Sequence, residues 1–285
     1  MKKLGIPIVV EPGSQPADED GVVLDYMQMP KDVWTYATPV IPEPEEVDGL
    51  DAGVAVLAQI RDALADYAPG DDAIVIGLDH LDDDNRMLVD QVLGDGEVSV
   101  VFEGMVRAVS QESVLAGVWR VQYLDDNDSV ERDVVEVAAI PSLVSSAVFT
   151  DAARQLPLAP GSAPAGVANA LPILTEIAAR LAEAGQAPEP HVVNLSLLPC
   201  TDEDMEHLVA TLGSGPAVIL SRGYGNCRIT STGTRNVWWV QYFNSQESLI
   251  LNSIEVSRVP EVACAAAEDV DDSKARLDEI LEVYQ

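Results

Sequence analysis

Among the residues of this chain, Cys227 has the sequence neighbours that best suit a reactive side chain. It follows Arg222 and precedes Arg228, two of the few basic residues in a very acidic sequence. Nearby guanidinium groups lower the pKa of an exposed thiol and favour the thiolate, which binds metals and exchanges with disulfides. A metal, an iron–sulfur cluster or a transient mixed disulfide would suit such a thiol. A single cysteine beside a strand is more commonly a small buried side chain, and both interpretations stay open at this point.

The segment around Cys227 is rich in glycine. Gly223 and Gly225 flank Tyr224, and Asn226 precedes the cysteine. Gly-x-Gly occurs in phosphate-binding loops, but here no Gly-Lys-Ser/Thr follows it, and strands rather than a helix are predicted next. We therefore predict that residues 222–228 contribute a partner-binding loop and that no nucleotide binds there.

These residues belong to the second copy of an internal repeat. Residues 74–143 and 193–262 align without a gap at a constant offset of 119, with 15 identities in 70 positions. For example, Val118-Trp119-x-Val121-Gln122-Tyr123 returns as Val237-Trp238-x-Val240-Gln241-Tyr242. A repeat of this length indicates a duplicated module. Positions that differ between the copies then become the best guide to function.

The aromatic strand differs between the copies on one of its faces. Successive side chains of a strand point to opposite faces, so Trp238 keeps the face of Trp119, and both are predicted to be core. On the other face, Trp239 replaces Arg120, and we expect a solvent-facing patch that binds a protein partner. The predicted patch consists of Trp239, Gln241, Phe243 and Asn244. The alternative is that the other module or the C-terminal helix buries this face.

Each copy is predicted to contain the same elements in the same order. In each copy a helix (about 52–66 or 170–184) precedes a short strand. A second helix follows, which is capped by Asp82 or Thr201 and ends at Gly94 or Gly213, and several strands complete the copy. This order predicts an α+β fold of two pseudo-symmetric homologous modules, each with helices packed on a mainly antiparallel sheet. The predicted regions are a flexible acidic, proline-rich arm (1–47), a first repeat (48–156), a linker (157–168) and a second repeat with a C-terminal helix (169–285).

The net charge of −32 makes nucleic acid and anionic membrane surfaces poor partners. Such a surface attracts basic peptides, although a salt-adapted surface would have the same composition. No apolar run is long enough to span a membrane, and Glu11 interrupts the short apolar run that follows Lys2 and Lys3. We therefore expect a cytoplasmic protein without membrane insertion.

The sequence lacks the patterns of common catalytic and metal sites. His80, His191 and His207 have no ligand spacing with one another or with the cysteines. Cys200 and Cys264 lie in apolar surroundings, which is typical of structural cysteines. The repeated pair Glu136 and Glu255 precedes a repeated proline and is interpreted as accepting local hydrogen bonds. We predict no enzyme activity and no resident cofactor.

Four motifs resemble one known family. They are Gly94-Asp95-Gly96-Glu97-Val98-Ser99, the Gln111–Val121 segment, the Leu220–Ser245 segment with Gly223-Tyr224-Gly225-Asn226-Cys227-Arg228, and Val259–Ala266. Together the motifs resemble the HupH/HoxQ/HyaF family of hydrogenase expression/formation proteins, over nearly the whole chain and least before about residue 48.

The resemblance implies a cytoplasmic accessory protein for a membrane-bound uptake nickel–iron hydrogenase. It implies action on the small, iron–sulfur subunit, whose precursor carries a twin-arginine signal peptide, before export, alongside other hydrogenase accessory proteins. The resemblance transfers no catalytic residues. We therefore expect a chaperone that binds the precursor, and the alternative is an iron–sulfur or metal carrier, or a redox-protective factor, that uses Cys227.

Overall fold

The computed structural model describes residues 41–158, 164–183, 190–223 and 225–284. The described residues form a ten-stranded antiparallel sheet with helices packed on it, so the predicted α+β class is confirmed. The helices are α1 (Asp51–Asp66), α2 (Asp83–Leu93), α3 (Ala170–Glu183), α4 (Asp202–Leu212) and α5 (Ala267–Val283). The strands of the first half are β1 (Ile74–Gly77), β2 (Val98–Glu103), β3 (Arg107–Glu112), β4 (Val118–Leu124) and β5 (Val130–Val137). Those of the second half are β6 (His191–Asn194), β7 (Ala217–Ser221), β8 (Asn226–Ser231), β9 (Val237–Phe243) and β10 (Leu249–Val256).

The two halves contain matching elements. The bounds of α2, β3, β4 and β5 return in α4, β8, β9 and β10 at the offset of 119. The gap-free alignment is wrong at its start, because Ile74 pairs with Val137 whereas His191 pairs with Val256, an offset of 117 for the first strand. Two additional residues therefore lie between β6 and α4, and this longer loop exposes 80% of Leu197.

The strand order in the sheet is β1-β5-β4-β3-β2-β7-β8-β9-β10-β6. The order is symmetric about its centre, because each strand of the first half has its counterpart from the second half at the same distance from the opposite edge. The halves meet where β2 pairs with β7, in antiparallel register. Val100 pairs there with Ile219, which is its own counterpart at the offset of 119. The central pair of the junction is buried, so the two halves share one continuous sheet and one apolar cluster that spans the junction.

The core lies in layers on both faces of the sheet. On one face, α1, α2 and α5 pack over the first half, while α3 and α4 pack over the second half. On the other face, a central apolar cluster spans the junction and contains Trp119 and Trp238, both fully buried as predicted. Their indole N–H groups donate to equivalent carbonyls, those of Ala138 (3.0 Å) and Ser257 (3.3 Å).

The predicted helix signals act locally as expected. The Asp82 carboxylate accepts a hydrogen bond from the backbone N–H of Asn85, and Thr201 forms a capping box with Asp204. Gly94 and Gly213 end their helices at φ values of 55° and 71°, which favour glycine. The C-terminal helix, assigned by sequence to the second repeat, instead packs with α1 on the first half through Val270 and Leu277.

The predicted domain boundaries remain predictions. Most of the predicted arm (1–40) and part of the predicted linker (159–163) lie outside the described residues. The described part of the arm includes a short 3₁₀ helix, Pro44–Glu46, and the carbonyl of Pro42, which accepts a hydrogen bond from the hydroxyl of Tyr284 (3.1 Å).

Candidate functional site

A cleft of about 600 Å³ opens beside the junction of the two halves, on the face that carries the helices. The helices pack on the outer strands of each half, which leaves the central strands accessible from this side. Val101 on β2 is 43% exposed and lines the cleft, with Leu220 of β7 beside it. Polar side chains that line the cleft are Asp90, Asp95, Ser99, Gln111, Ser113, Arg120 and Gln122. The cleft therefore combines apolar strand residues with amide, hydroxyl and carboxylate groups, which suits a polypeptide ligand.

The cleft joins motifs that lie far apart in the sequence. Asp95 and Ser99 come from the first motif, Gln111, Ser113 and Arg120 from the second, and Leu220 from the glycine-rich third motif. The cleft lies over β2, β3 and β4 beside the end of α2, and Leu220 is its lining residue from β7. Sequence reasoning did not locate it because these elements come together only in the folded sheet. The available signal was that the motifs carrying the family resemblance are the ones that line it.

The glycine-rich hairpin between β7 and β8 lies against the start of β2. The backbone N–H of Arg222 donates to the carbonyl of Glu97 (3.1 Å). A Cβ at Gly223 would collide with the carboxylate of Glu97, so the absence of a side chain allows this close approach. Gly225 is exposed and has a φ of 108°, which only glycine adopts readily. The hairpin and the first motif thus form one local structure across the junction.

Other residues of the predicted loop differ in accessibility. Asn226 and Arg228 are half-buried, and Arg228 pairs with Leu220 and Gln241 in the sheet, so it shares the face of the cleft. Tyr224 lies outside the described residues. The loop therefore offers polar and backbone groups beside the cleft.

The predicted aromatic patch does not face solvent. Trp239, Gln241 and Phe243 are 6%, 1% and 3% exposed, because α3 and α4 cover Trp239 and the small cluster around Leu220 encloses Phe243. The half-buried Asn244 accepts backbone hydrogen bonds from Gln246 and Ser248 (2.9 Å each) and so shapes the β9–β10 turn. The expectation of an exposed aromatic face is corrected.

A charged network in the first half occupies the position that corresponds to Trp239 and its neighbours in the second half. Arg120 on β4 binds the buried carboxylate of Asp133 through two contacts of 2.5 Å and also pairs with Asp90 on α2, and Arg86 lies 3.5 Å from Asp133. The counterparts of these four residues at the offset of 119 are Trp239, Asn252, Val209 and Met205. In the second half, the indole N–H of Trp239 donates to Asn252 at 2.6 Å. Asp90 and Arg120 consequently give the cleft a polar wall from the first half alone.

Of the two interpretations left open for Cys227, the structure supports the small buried side chain. Its side chain is 1% exposed within the central cluster, and burial raises its pKa to about 12 despite a hydrogen bond from Tyr242. Burial likewise raises the pKa of Cys264 to about 11. Among the described residues, no group of three or more His, Cys, Asp or Glu side chains is placed to hold a metal ion. Cys227 therefore acts as a small core residue in this structure.

One buried acid was missed by the sequence analysis. Glu112 at the end of β3 is 8% exposed, and burial raises its pKa to about 7, with a smaller raising effect from Glu97 and Asp269. Its counterpart in the second half is Ser231, whose hydroxyl bonds to Ala217 of the neighbouring strand. A single glutamate in a strand gives no sequence signal of such burial.

The model of the family described as "HupH hydrogenase expression protein, C-terminal conserved region" matches this chain at residues 50–157 and again at residues 167–284. The chain belongs to this HupH family. The two matched regions correspond to the two halves that meet at the cleft.

Relatives within the HupH family align over nearly their whole length. The hydrogenase expression/formation protein HoxQ of Cupriavidus necator is 45% identical over 99% of this chain and 98% of its own. HupQ of Azotobacter chroococcum, with the same description, is 42% identical over 99% of this chain and 100% of its own. A solved structure of the hydrogenase expression protein HupH from Thiobacillus denitrificans is 36% identical, covers 39% of this chain and 92% of that chain, and superposes with a TM-score of 0.36.

In the part of this HupH-family chain that the structure describes, the helices are too short or too polar to cross a lipid bilayer.

Proposed function

We propose that this protein is a non-enzymatic accessory factor in the formation of a membrane-bound uptake nickel–iron hydrogenase. In this proposal it binds the precursor of the small, iron–sulfur subunit in the cytoplasm, before export, and works with other hydrogenase accessory proteins. Membership of a family whose members are described as hydrogenase expression and formation proteins supports the general role.

The cleft at the β2–β7 junction supports the binding role. Three of the motifs that identify the family line it, and the Arg222–Glu97 hydrogen bond links two of them across the two halves. Residues that are needed only for the core would not have to gather around an accessible cleft. The presence of these motifs around one cleft is the observation that carries the proposal. We therefore place the proposed binding site at the cleft and its hairpin and not at Trp239, whose face is buried.

The acidic surface would assist association without fixing specificity. A net charge of −32 attracts a positively charged segment of a precursor and raises the rate of encounter, with strong dependence on salt. The cleft and the hairpin residues Arg222, Gly223, Gly225, Asn226 and Arg228 would then provide the specific contacts.

We also infer that the chain arose by internal duplication. The palindromic strand order, the matching element bounds and the double match to one family model support this origin. Duplication explains why the cleft is asymmetric, because each half could change its own side of the junction.

A carrier function through Cys227 is the alternative that the geometry favours less. A thiol that is 1% exposed has to become accessible before it can bind an iron–sulfur cluster together with ligands from a partner. Iron content and absorbance of anaerobically purified protein would test for a carrier. Maturation supported by Cys227→Ser would show that the thiol is dispensable.

The binding proposal is tested by capture of the small-subunit precursor on the immobilised protein. Val101→Arg places a charge in the cleft at a position that is 43% exposed, and Val75→Arg on β1 makes the same change at 46% exposure outside it. We expect Val101→Arg to reduce capture at least tenfold and Val75→Arg to leave it unchanged. Equal capture by both variants would show that the cleft is not the binding site. Precursor with and without its signal peptide would identify the segment recognised.

A further inference from the structure

We propose that a second surface, at the tip of the β2–β3 hairpin in the first half, docks a peptide segment in which a large apolar side chain lies next to lysine or arginine. The surface has an apolar part and an acidic part that share Met105, Val106 and Tyr123. It is separate from the cleft at the β2–β7 junction, and it does not depend on the hydrogenase precursor as the ligand.

The apolar part is a crevice of about 650 Å³ between the hairpin tip, the segment that follows β5, and residues 214–216 and 232–233 of the second half. Phe102, Leu143 and Val148 line it from the core, each less than 9% exposed. At its edge, Met105 is 85% exposed and Val106 is 44% exposed. Methionine is flexible and polarizable, so an exposed Met beside a preformed apolar crevice suits the capture of an apolar anchor.

The acidic part is a groove of about 670 Å³ on the other side of the hairpin tip. Its charged residues are Asp79, Asp125, Asp126 and Glu131, against Arg107 and Arg132. Both arginines are engaged within the protein. Arg107 contacts Asp128 at 2.5 Å, and the Arg132 guanidinium lies over the ring of Tyr123, 5.4 Å from its centroid.

The charged residues that line the apolar crevice are Glu103 and Asp151, both acidic. A ligand that fills the crevice therefore has carboxylates on both sides of its anchor. Burying an apolar side chain there provides affinity, and positive charge beside the anchor complements the rim. A segment with acidic flanks would be repelled. The surface therefore favours a ligand segment that combines an apolar anchor with positive charge.

The second half has the same backbone arrangement without this chemistry. Glu103 N–H donates to the carbonyl of Pro216 (2.8 Å), which is the counterpart of the Arg222–Glu97 bond at the other hairpin. The groove residues Asp125, Asp126 and Glu131 correspond to Asn244, Ser245 and Ile250 at the offset of 119. The first half alone thus combines an acidic groove with an apolar hairpin tip, and the second half supplies matched control positions.

The test uses the full-length protein and a fluorescent synthetic peptide in which two arginines precede alternating leucine and alanine residues. A second peptide replaces the arginines with glutamates. We expect the arginine peptide to bind, the glutamate peptide to bind at least tenfold more weakly, and added salt to weaken the first interaction. Absence of binding by the arginine peptide, or equal binding of both peptides, would overturn the proposal.

Two pairs of variants locate the binding. Met105→Glu and Asp126→Lys change exposed residues of the proposed surface, so folding should be preserved and is checked by thermal melting. Leu197→Glu and Ser245→Lys are the controls, because Leu197 is another exposed apolar residue (80%) and Ser245 is the counterpart of Asp126. We expect each test variant to weaken peptide binding at least fivefold and each control to leave it unchanged.

Two results would contradict the assignment. Test variants that bind the arginine peptide as tightly as the controls would place the peptide elsewhere. A change in sedimentation caused by Met105→Glu, without any change in peptide binding, would show that the surface receives a second copy of the chain. These variants leave Val101 and the cleft unchanged. A negative result here would therefore contradict the peptide-binding surface without contradicting the proposal that the cleft binds the precursor.

Discussion

Trp239 donates its indole N–H to Asn252 at the place where Arg120 pairs with Asp133 in the first half. Both partners differ between the halves, an ion pair in the first and a neutral hydrogen bond in the second, while the register of the strands is the same. The corresponding residues on α4 also differ from those on α2 and are apolar. A buried polar pair stays satisfied only when both members match, so the two positions depend on each other.

Trp239 is therefore expected to be a stability residue. Trp239→Ala should lower the free energy of unfolding by about 3–5 kcal/mol, similar to Trp119→Ala, because both indoles are buried. Trp239→Phe should cost about 1–3 kcal/mol by leaving the Asn252 amide unpaired, and the double variant with Asn252→Leu should recover part of that loss. Urea denaturation of the parent, Trp239→Phe, Asn252→Leu and the double variant measures this coupling. Additive losses would contradict a paired replacement.

Glu112 is expected to make the protein less stable as the pH rises. Its pKa in the folded protein is about 7, raised by burial from an ordinary value near 4.5. The folded state therefore holds a proton that the unfolded state releases between these values, and stability falls through this range by up to about 3 kcal/mol. Glu112→Gln should remove the fall and melt higher than the parent above pH 7. Identical pH profiles would show that Glu112 does not titrate in this range.

Asp204 should have the opposite pH dependence. Its carboxylate accepts backbone N–H groups of Ala168, Asn169 and Ala170 at 2.8–2.9 Å, so it caps α3 as well as α4. Burial opposes ionisation, but the backbone hydrogen bonds outweigh it and lower the pKa to about 2. This stabilisation is present above about pH 4 and is lost as the pH falls toward 2. Asp204→Ala should cost about 2–4 kcal/mol at pH 7 in chemical denaturation, whereas Asp202→Ala serves as an exposed control.

Gly96 and Gly223 should respond differently to alanine. A Cβ at Gly96 would collide with the backbone carbonyl of Ser113, whereas one at Gly223 would meet the mobile carboxylate of Glu97. Gly96→Ala is expected to destabilise the protein by about 2 kcal/mol or more because backbone has to shift. Gly223→Ala should keep the melting temperature within a few degrees and weaken precursor capture instead. Equal melting temperatures for the two variants would contradict the tight packing at Gly96.

The thiols should be poor nucleophiles in the native protein. Burial raises the pKa of Cys200, Cys227 and Cys264 above the ordinary value. At pH 8 we expect Cys227 to react with a disulfide reagent at least a hundredfold more slowly than in urea-unfolded protein. Rapid native labelling of Cys227, identified by peptide mass, would restore a chemical role for this thiol.

Local features were predictable from the sequence because neighbouring residues determine them. The caps at Asp82 and Thr201 and the burial of Trp119 and Trp238 followed from short-range patterns and strand alternation. The matching order of elements in the two halves was also predictable, because the constant spacing of shared residues places equivalent elements at equivalent positions. The two additional residues between β6 and α4 were missed, since a shift of an even number of residues keeps the same faces of a strand.

The long-range arrangement could not be predicted in the same way. Whether Trp239 faces solvent depends on where α3 and α4 pack, and the strand pattern does not contain that information. The accessible cleft is formed by the end of α2 and by β2, β3 and β4, and Leu220 joins it because β2 pairs with β7, which lies more than 100 residues away. Likewise, the thiol of Cys227 is adjacent to arginines in sequence but lies in the central cluster, and sequence proximity alone could not decide between an exposed thiolate and a buried thiol.

The packing of α5 on the first half has a consequence for biosynthesis. Val270, Leu277, Ile280 and Leu281 complete an apolar layer whose other buried members precede residue 140. A ribosome-bound chain therefore cannot close this layer until its last residues have left the exit tunnel. The first half without α5 leaves this layer incomplete, so expression of residues 41–158 alone should give aggregated or protease-sensitive material.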